Sequence, residues 1–338
     1  MSSPIVTGIL SYGMSGRLFQ SPFVNAHPGF KFKAVVERSK KKAAERYPDV
    51  ISYDSVDELL ADKEIELVIV NTPGYTHFDF AMQSLKAGKN VLIEKPASGT
   101  VEQVKALYDE ARARNLNVMV YQNRRWDSDF QSVKQVVESG RLGRLIEAHF
   151  RFDRYSPALS PKAFKEDAEL GTNGLVYDLG PHLLDQVISL FGRPLSFNKQ
   201  VGINREDSTV IDYFSIQLSY PNQLNVFVTS SLLVAQPLPS FVVHGTLGSY
   251  IKERCDVQEE QLDKEVLPDY EAYGIEPAGS EGVLITIGPD KQKITEHIAS
   301  TKGNYMHLFD AVYHTIRNGA LYPITEEHVA WQMEIIEA

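Results

Sequence analysis

Along the first 123 residues, short apolar, β-branched runs alternate with stretches whose apolar positions recur at helical spacing. Five runs predict strands: Ile5–Leu10, Phe32–Val36, Leu67–Asn71, Asn90–Glu94 and Asn117–Tyr121. Between them, Ser55-Val56-Asp57-Glu58 and Thr100-Val101-Glu102-Gln103 carry the capping-box pattern, which satisfies the free amides of a helix start. Gly88 follows the helical stretch 75–87 where a C-cap glycine belongs. Strands apolar on both faces, alternating with helices, predict a parallel sheet covered on both sides, a doubly wound α/β domain.

The pattern changes around Gln122–Asp127. A helix is predicted near 129–138, a strand over 146–153 and a helix near 177–191. Four strands then follow without intervening helices, at 197–205, 212–219, 224–230 and 240–244, which predicts an antiparallel or mixed sheet. Residues 256–280, with Pro268 and Pro277, read as loop, and helices near 305–317 and 326–336 close the chain. Two domains result: 1–123, and an α+β domain over 124–338 with a largely antiparallel or mixed open sheet. If helices cover one face of that sheet, the other is left for self-association, so a homodimer or homotetramer is expected.

Composition narrows the function. The chain has 338 residues, 43% hydrophobic and 23% charged, the balance of a soluble globular protein, and its net charge of −10 opposes nucleic-acid binding. No apolar stretch reaches the ~18 residues of a membrane span. The single cysteine, Cys255, excludes an intrachain disulfide and any cysteine-based zinc site, and the other histidines show no ligand spacing, so no metal is expected. A cytoplasmic setting fits.

The first strand runs into Ser11-Tyr12-Gly13-Met14-Ser15-Gly16 and then a helical pattern. This is a dinucleotide-type glycine turn with Ser11 in the first glycine's place. Gly13 lets backbone approach a pyrophosphate and Gly16 lets helix and strand pack closely. Glu37 falls about 20 residues on, at the end of the second strand, where an acid would bind the ribose of NAD. It is followed by Arg38-Ser39-Lys40, and an arginine there pairs with the 2′-phosphate of NADP; the other reading is a solvated charge run, which Lys41 and Lys42 are expected to be. NADP is the first choice and NAD the alternative.

Two further strings carry chemistry. Glu94-Lys95-Pro96 ends the predicted fourth strand, and a lysine at a strand's carboxyl end can steady a developing alkoxide or polarise a carbonyl; otherwise it is a surface lysine before a proline. Tyr177-Asp178-Leu179-Gly180-Pro181-His182 opens a helix and places Asp178 and His182 four apart, on one helical face. A carboxylate beside an imidazole suits acid–base catalysis, though the same spacing serves a capping or surface pair.

Together these strings resemble the Gfo/Idh/MocA oxidoreductases, over essentially the whole chain. Tyr121–Asp127, Phe152–Tyr155 and 177–186 are similar to the branch that includes NADP-dependent scyllo-inositol dehydrogenases. The resemblance implies an N-terminal Rossmann domain and a C-terminal substrate-binding domain. It implies an NAD(P)-dependent hydride transfer to or from a carbinol carbon of a polyol or sugar. It makes Lys95, Asp178 and His182 catalytic. It puts Ser11, Gly13, Met14, Ser15, Gly16, Glu37, Arg38, Ser39, Asn71, Thr72, Pro73, His77, Glu94 and Lys95 along the cofactor. Asn123, Arg125, Trp126, Arg154 and Tyr155 are expected to meet substrate hydroxyls, with an ion pair the equal alternative for Arg125 and packing for Trp126. The competing function is a non-catalytic NAD(P)-sensing regulator on the same fold, which the retained Lys95, Asp178 and His182 oppose.

Overall fold

A computed structural model describes residues 3–338. The chain divides into two compact units, one of residues 3–123, 259–273 and 305–330, the other of 124–258, 274–304 and 331–338.

The first unit is built on β1 (Ile5–Ile9), β2 (Phe30–Val36), β3 (Ile51–Tyr53), β4 (Leu67–Val70), β5 (Asn90–Glu94) and β6 (Val118–Tyr121). All pair in parallel, in the order β3-β2-β1-β4-β5-β6. Strand order reverses between β1 and β4, which leaves a ligand crevice at their carboxyl ends. Residues 67–70 and 91–93 have no solvent exposure, as strands covered on both faces require. Strand β3 escaped prediction because three half-polar edge residues carry no periodicity.

The helices of this unit are α1 (Ser21–Ala26), α2 (Ala43–Arg46), α3 (Val56–Ala61), α4 (His77–Lys86) and α5 (Val101–Arg114). Both predicted caps form: Ser55 Oγ accepts the Glu58 amide and Thr100 Oγ1 the Gln103 amide, each at 3.2 Å. Gly88 closes α4 at φ +78°.

The second unit carries α6 (Ser128–Glu138), then β7 (Leu145–Arg151), α7 (Leu175–Asp178) and α8 (Gly180–Phe191). Next come β8 (Ser196–Gly202), β9 (Tyr213–Ser219), β10 (Asn225–Ser231), β11 (Phe241–Gly245) and β12 (Gly248–Lys252). A short helix α9 (Gln258–Asp263), β13 (Gly282–Ile287), β14 (Lys293–Ile298), α10 (Met306–Asn318) and α11 (Glu326–Glu337) complete the chain, shared between the units. The sheet runs β14-β13-β12-β11-β7-β10-β9-β8, and only β7 with β10 is parallel. Strands β12–β14 and helix α9 went unpredicted, since Gly, Ser and charged residues dilute their pattern. Helix α6 packs over β12 and α8 over β7 and β10. Leu183, Leu184, Val187 and Ile188 of α8 are buried, and each contributes roughly 1.5–3 kcal/mol by leaving water. On the sheet's other face Phe227, His149, Val242, Ile251 and Val283 lie in register across five strands, half-exposed.

Candidate active site

In the first unit the turn after β1 is closed by its own serine: the Gly13 amide donates to Ser11 Oγ at 3.2 Å. That bond stands in for the missing first glycine. Gly16 is required by contact, because a Cβ there would lie 2.0 Å from the Ser11 carbonyl oxygen. Asn71, just after β4, donates to that same carbonyl at 2.8 Å, and its own Oδ1 is buried with no partner among the described residues. At the end of β5, Glu94 accepts from Ser15 Oγ (2.6 Å) and Gln20 Nε2 (2.9 Å), bracing the start of the following helical segment. Met14 is exposed at the turn's tip.

A groove of about 740 Å³ opens at this crevice. Ser11, Tyr12 and Gly13 form one part of its wall, Thr72 and Pro73 another, and Glu37, Arg38, Ser39, Lys40 and Lys42 a third. Arg38, Lys40 and Lys42 are exposed and form no ion pair among the described residues. Lys41 alone behaves as a structural lysine: its Nζ donates to Glu37 O (2.8 Å), Ser52 O (3.2 Å) and Asp54 Oδ1 (2.5 Å). Lys42, expected to be solvated like Lys41, lines the groove.

The Glu37 carboxylate is buried and engaged by its own chain. Oε1 accepts the Lys42 amide at 2.8 Å, Oε2 accepts Ser52 Oγ at 2.7 Å, and the Ala43 amide reaches both oxygens at 3.3 Å.

His77 is a buried strut between two turns. Its ring nitrogens lie 2.7 Å from the Pro96 and Thr72 carbonyl oxygens, linking the segment after β4 to the one after β5. Burial pushes its pKa down, against the pull of those carbonyls. The strut fixes the Lys95–Pro96 turn, whose peptide bond is cis, with Lys95 half-buried at the end of β5.

In the second unit, Gly174 at φ +88° starts α7 where the Leu175 amide donates to Ile211 O at 2.6 Å; a Cβ on Gly174 would lie 3.0 Å from that oxygen. Asp178 ends α7 and is exposed, while His182 stands buried in the first turn of α8. The single helix expected across both residues is broken at Leu179, since Pro181 has no N–H for the carbonyl one turn back.

One turn beyond His182, Asp185 and Gln186 hold the 124–126 segment. Arg125 grips Asp185 through Nε (2.6 Å) and Nη2 (2.9 Å), and Gln186 Nε2 donates to Arg124 O at 2.9 Å. Of the two readings of Arg125, the ion pair is present. The Trp126 carbonyl accepts Gln258 Nε2 (3.1 Å) and the Asn304 amide (3.2 Å), and Asn123 is buried at the head of the same turn. Arg154 and Tyr155 follow β7 and are exposed. The Arg154 guanidinium lies 4.8 Å from the centroid of Phe152, a ring it shares with Arg254 at 4.0 Å and Arg124 at 5.2 Å. Arg254 was not expected here, because a contact between residues so distant in the chain leaves no local signal. The loop that follows is clamped by Arg205, which bonds Glu166 (2.9 and 3.2 Å) and Asp212 (3.3 Å).

Burial pushes the Cys255 thiol up to about 12, so it is no ready nucleophile. Among the described residues no cluster of three His, Cys, Asp or Glu side chains could hold a metal ion, and no helix is long and apolar enough to cross a membrane.

Residues 5–122 match the model of the oxidoreductase family with an NAD-binding Rossmann fold, and 130–251 match the GFO/IDH/MocA C-terminal domain. This chain belongs to the Gfo/Idh/MocA oxidoreductase family. An uncharacterized oxidoreductase of Schizosaccharomyces pombe, C115.03, is 37% identical over 99% of this chain and 96% of the relative. The scyllo-inositol 2-dehydrogenase (NADP(+)) IolW of Bacillus subtilis is 33% identical over 99% of this chain and 92% of its own length. A crystal structure of an oxidoreductase from Bacillus cereus superposes with a TM-score of 0.90 at 36% identity, covering 98% of this chain and 95% of the other. The parallel sheet with its glycine turn and the mixed second sheet are thus those of a Gfo/Idh/MocA oxidoreductase.

Proposed function

We propose that the chain is an NADP-dependent dehydrogenase or reductase acting on a CH–OH carbon of a polyol or sugar. The observation that carries the cofactor reading is the groove wall at the end of β2. Three cations with no ion pair among the described residues, Arg38, Lys40 and Lys42, stand there in a protein of net charge −10, while the neighbouring acid Glu37 is occupied. Such a wall suits a doubly charged 2′-phosphate better than a ribose hydroxyl. The glycine turn fits the rest of the cofactor, with Gly13 exposed and Gly16 admitting no side chain. Met14 and Ser15 extend that turn, with Glu94 bracing Ser15, and Thr72, Pro73 and Asn71 would face the nicotinamide half, with His77 bracing Thr72. When bound, the nicotinamide supplies or accepts the hydride.

In this reading His182 takes the substrate hydroxyl proton, Lys95 steadies the alkoxide charge and Asp178 orients the substrate. Asn123, Arg125, Trp126, Arg154 and Tyr155 shape its site, with Arg125 acting through its hold on Asp185. The printed name of the Bacillus subtilis relative, an NADP(+) enzyme of scyllo-inositol, supports both the cofactor and an inositol-like substrate. Residues 1–123 would serve the cofactor and 124–338 the substrate and self-association. The half-exposed row on the open sheet face supports a homodimer or homotetramer. The expected setting is the cytoplasm, where Cys255 stays reduced.

The test is a panel of inositols, aldoses and ketoses with NADP⁺ and NAD⁺, or the reduced forms, read at the nicotinamide absorbance. Turnover with NADP⁺ on a polyol is expected. His182→Ala should then lower kcat by about 10²–10⁴ with the NADPH Kd nearly unchanged. Cofactor binding without turnover on any substrate would favour the sensing regulator instead.

A further inference from the structure

The acid at the end of β2 poses a conflict: a carboxylate exposed beside a phosphate site would repel the phosphate. The structure assigns its resolution to Ser52, which we propose sets cofactor choice by keeping the Glu37 carboxylate bonded to its own chain where it borders the groove. The inference rests on the NADP reading above.

Strand β3 pairs in parallel with β2, with Ser52 opposite Val35, two residues before Glu37. From there Ser52 Oγ donates to Glu37 Oε2 at 2.7 Å, the shortest of that carboxylate's contacts. The remaining contacts come from amides at the start of α2, Lys42 at 2.8 Å and Ala43 at 3.3 Å to both oxygens. Three donors thus engage the carboxylate, the single Ala43 N–H being shared between its two oxygens. Lys41 adds a backbone tie, bonding the Glu37 and Ser52 carbonyls together. Glu37 is therefore an anchor of the 38–42 segment and not an acceptor for ribose, and the segment it anchors presents Arg38, Lys40 and Lys42. Without the Ser52 hydroxyl, Oε2 keeps only the 3.3 Å contact, and the carboxylate, still held at Oε1 by the Lys42 amide, is free to present Oε2 to the groove it borders. A released anion would accept a ribose hydroxyl and repel a 2′-phosphate. Ser52 is thus a positioning residue whose effect falls on the ratio of two affinities.

The experiment measures Kd for NADPH and NADH by nicotinamide fluorescence, and for adenosine 2′,5′-bisphosphate and AMP by calorimetry. It uses the full chain, Ser52→Ala, Ser52→Thr and the double variant Ser52→Ala/Glu37→Gln. Ser52→Ala should weaken NADPH and the bisphosphate about tenfold, because the freed carboxylate charge repels the 2′-phosphate, with NADH and AMP unchanged or tighter. Ser52→Thr, which keeps the hydroxyl, should retain the full chain's ratio. The double variant should recover much of it, because the released charge is gone. If Ser52→Ala keeps the ratio, or weakens all four ligands alike, the inference is overturned and the NADP reading stands. If the unmodified chain does not prefer NADPH, both fall.

Discussion

The carbonyl oxygen of Ser11 lies 2.0 Å from where a side chain on Gly16 would begin. Asn71 donates to the same oxygen, so the carbonyl cannot swing aside without breaking a 2.8 Å bond. Gly16→Ala should therefore destabilise the protein by roughly 1–3 kcal/mol, as overpacking does, and abolish cofactor binding. At Gly13 an added Cβ would meet only Ser11 Oγ, at 3.4 Å. Gly13→Ala should leave the melting temperature nearly unchanged yet raise the NADPH Kd. Thermal melts paired with fluorescence titrations decide it, and equal stability losses in the two variants would contradict the argument.

The cations at the end of β2 should be separable by charge reversal. Arg38→Glu, Lys40→Glu and Lys42→Glu should each weaken NADPH about tenfold or more and NADH by much less, since only the former carries the 2′-phosphate. The NADPH affinity should also fall as salt is raised from about 0.05 to about 0.5 M, because exposed charges are screened over about 10 Å at 0.1 M. Titrations at the two salt concentrations check this; an unchanged NADPH-to-NADH ratio in all three variants would remove the phosphate assignment.

Which parts of this were legible in the sequence follows from the range of each interaction. Strands β1 and β4–β6 stand out because both their faces are apolar, β2 because its second half, Ala34–Val36, is, and the caps at Ser55 and Thr100 because cap and partner lie three residues apart. The positions of Glu37 and Arg38 follow from spacing along the chain. That Glu37 is taken by Ser52, and Asn71 by Ser11, depends on neighbouring strands across 15 and 60 residues, where sequence carries no direct signal. Arg254 on Phe152 is hidden for the same reason. Lys42 could have been found: Arg38, Lys40 and Lys42 alternate along an irregular, non-helical segment, and Lys41 falls out of step with them.

The bidentate pair of Arg125 and Asp185 joins the 124–126 turn to α8, one turn beyond His182. Asp185 is almost wholly buried and also accepts Gln332 Nε2 at 3.0 Å. Asp185→Ala takes both of these bonds from the partly buried Arg125 guanidinium and should cost about 3–5 kcal/mol. Arg125→Lys keeps the charge but loses the fork, so it should cost less stability while lowering kcat/KM. Chemical denaturation and steady-state kinetics on both variants test this. Should Arg125→Lys match the unmodified chain in kcat/KM, the turn would have no part in positioning the substrate.

Asp212 links stability to pH through the clamp on the loop after Tyr155. Burial alone would raise its pKa, but the amides of Arg205 (2.7 Å) and Asn204 (2.9 and 3.0 Å) outweigh it and hold the carboxyl below its ordinary range. A carboxyl with a depressed folded-state pKa adds stability that is fully present above its unfolded pKa, about 3.9, and disappears as pH falls through the folded value. Asp212→Asn cannot offer two anionic oxygens to those donors, so it should lower stability by roughly 2–4 kcal/mol at pH 7. The deficit should shrink as pH drops below about 4, where the carboxyl of the unfolded chain begins to protonate while the native one, held lower, is still ionised. Urea denaturation of both proteins at pH values of about 7, 5 and 3.5 reads the difference directly. A deficit constant across that range would mean that the Asp212→Asn variant fails for reasons of shape, and the charge of Asp212 would then play no part in holding the loop.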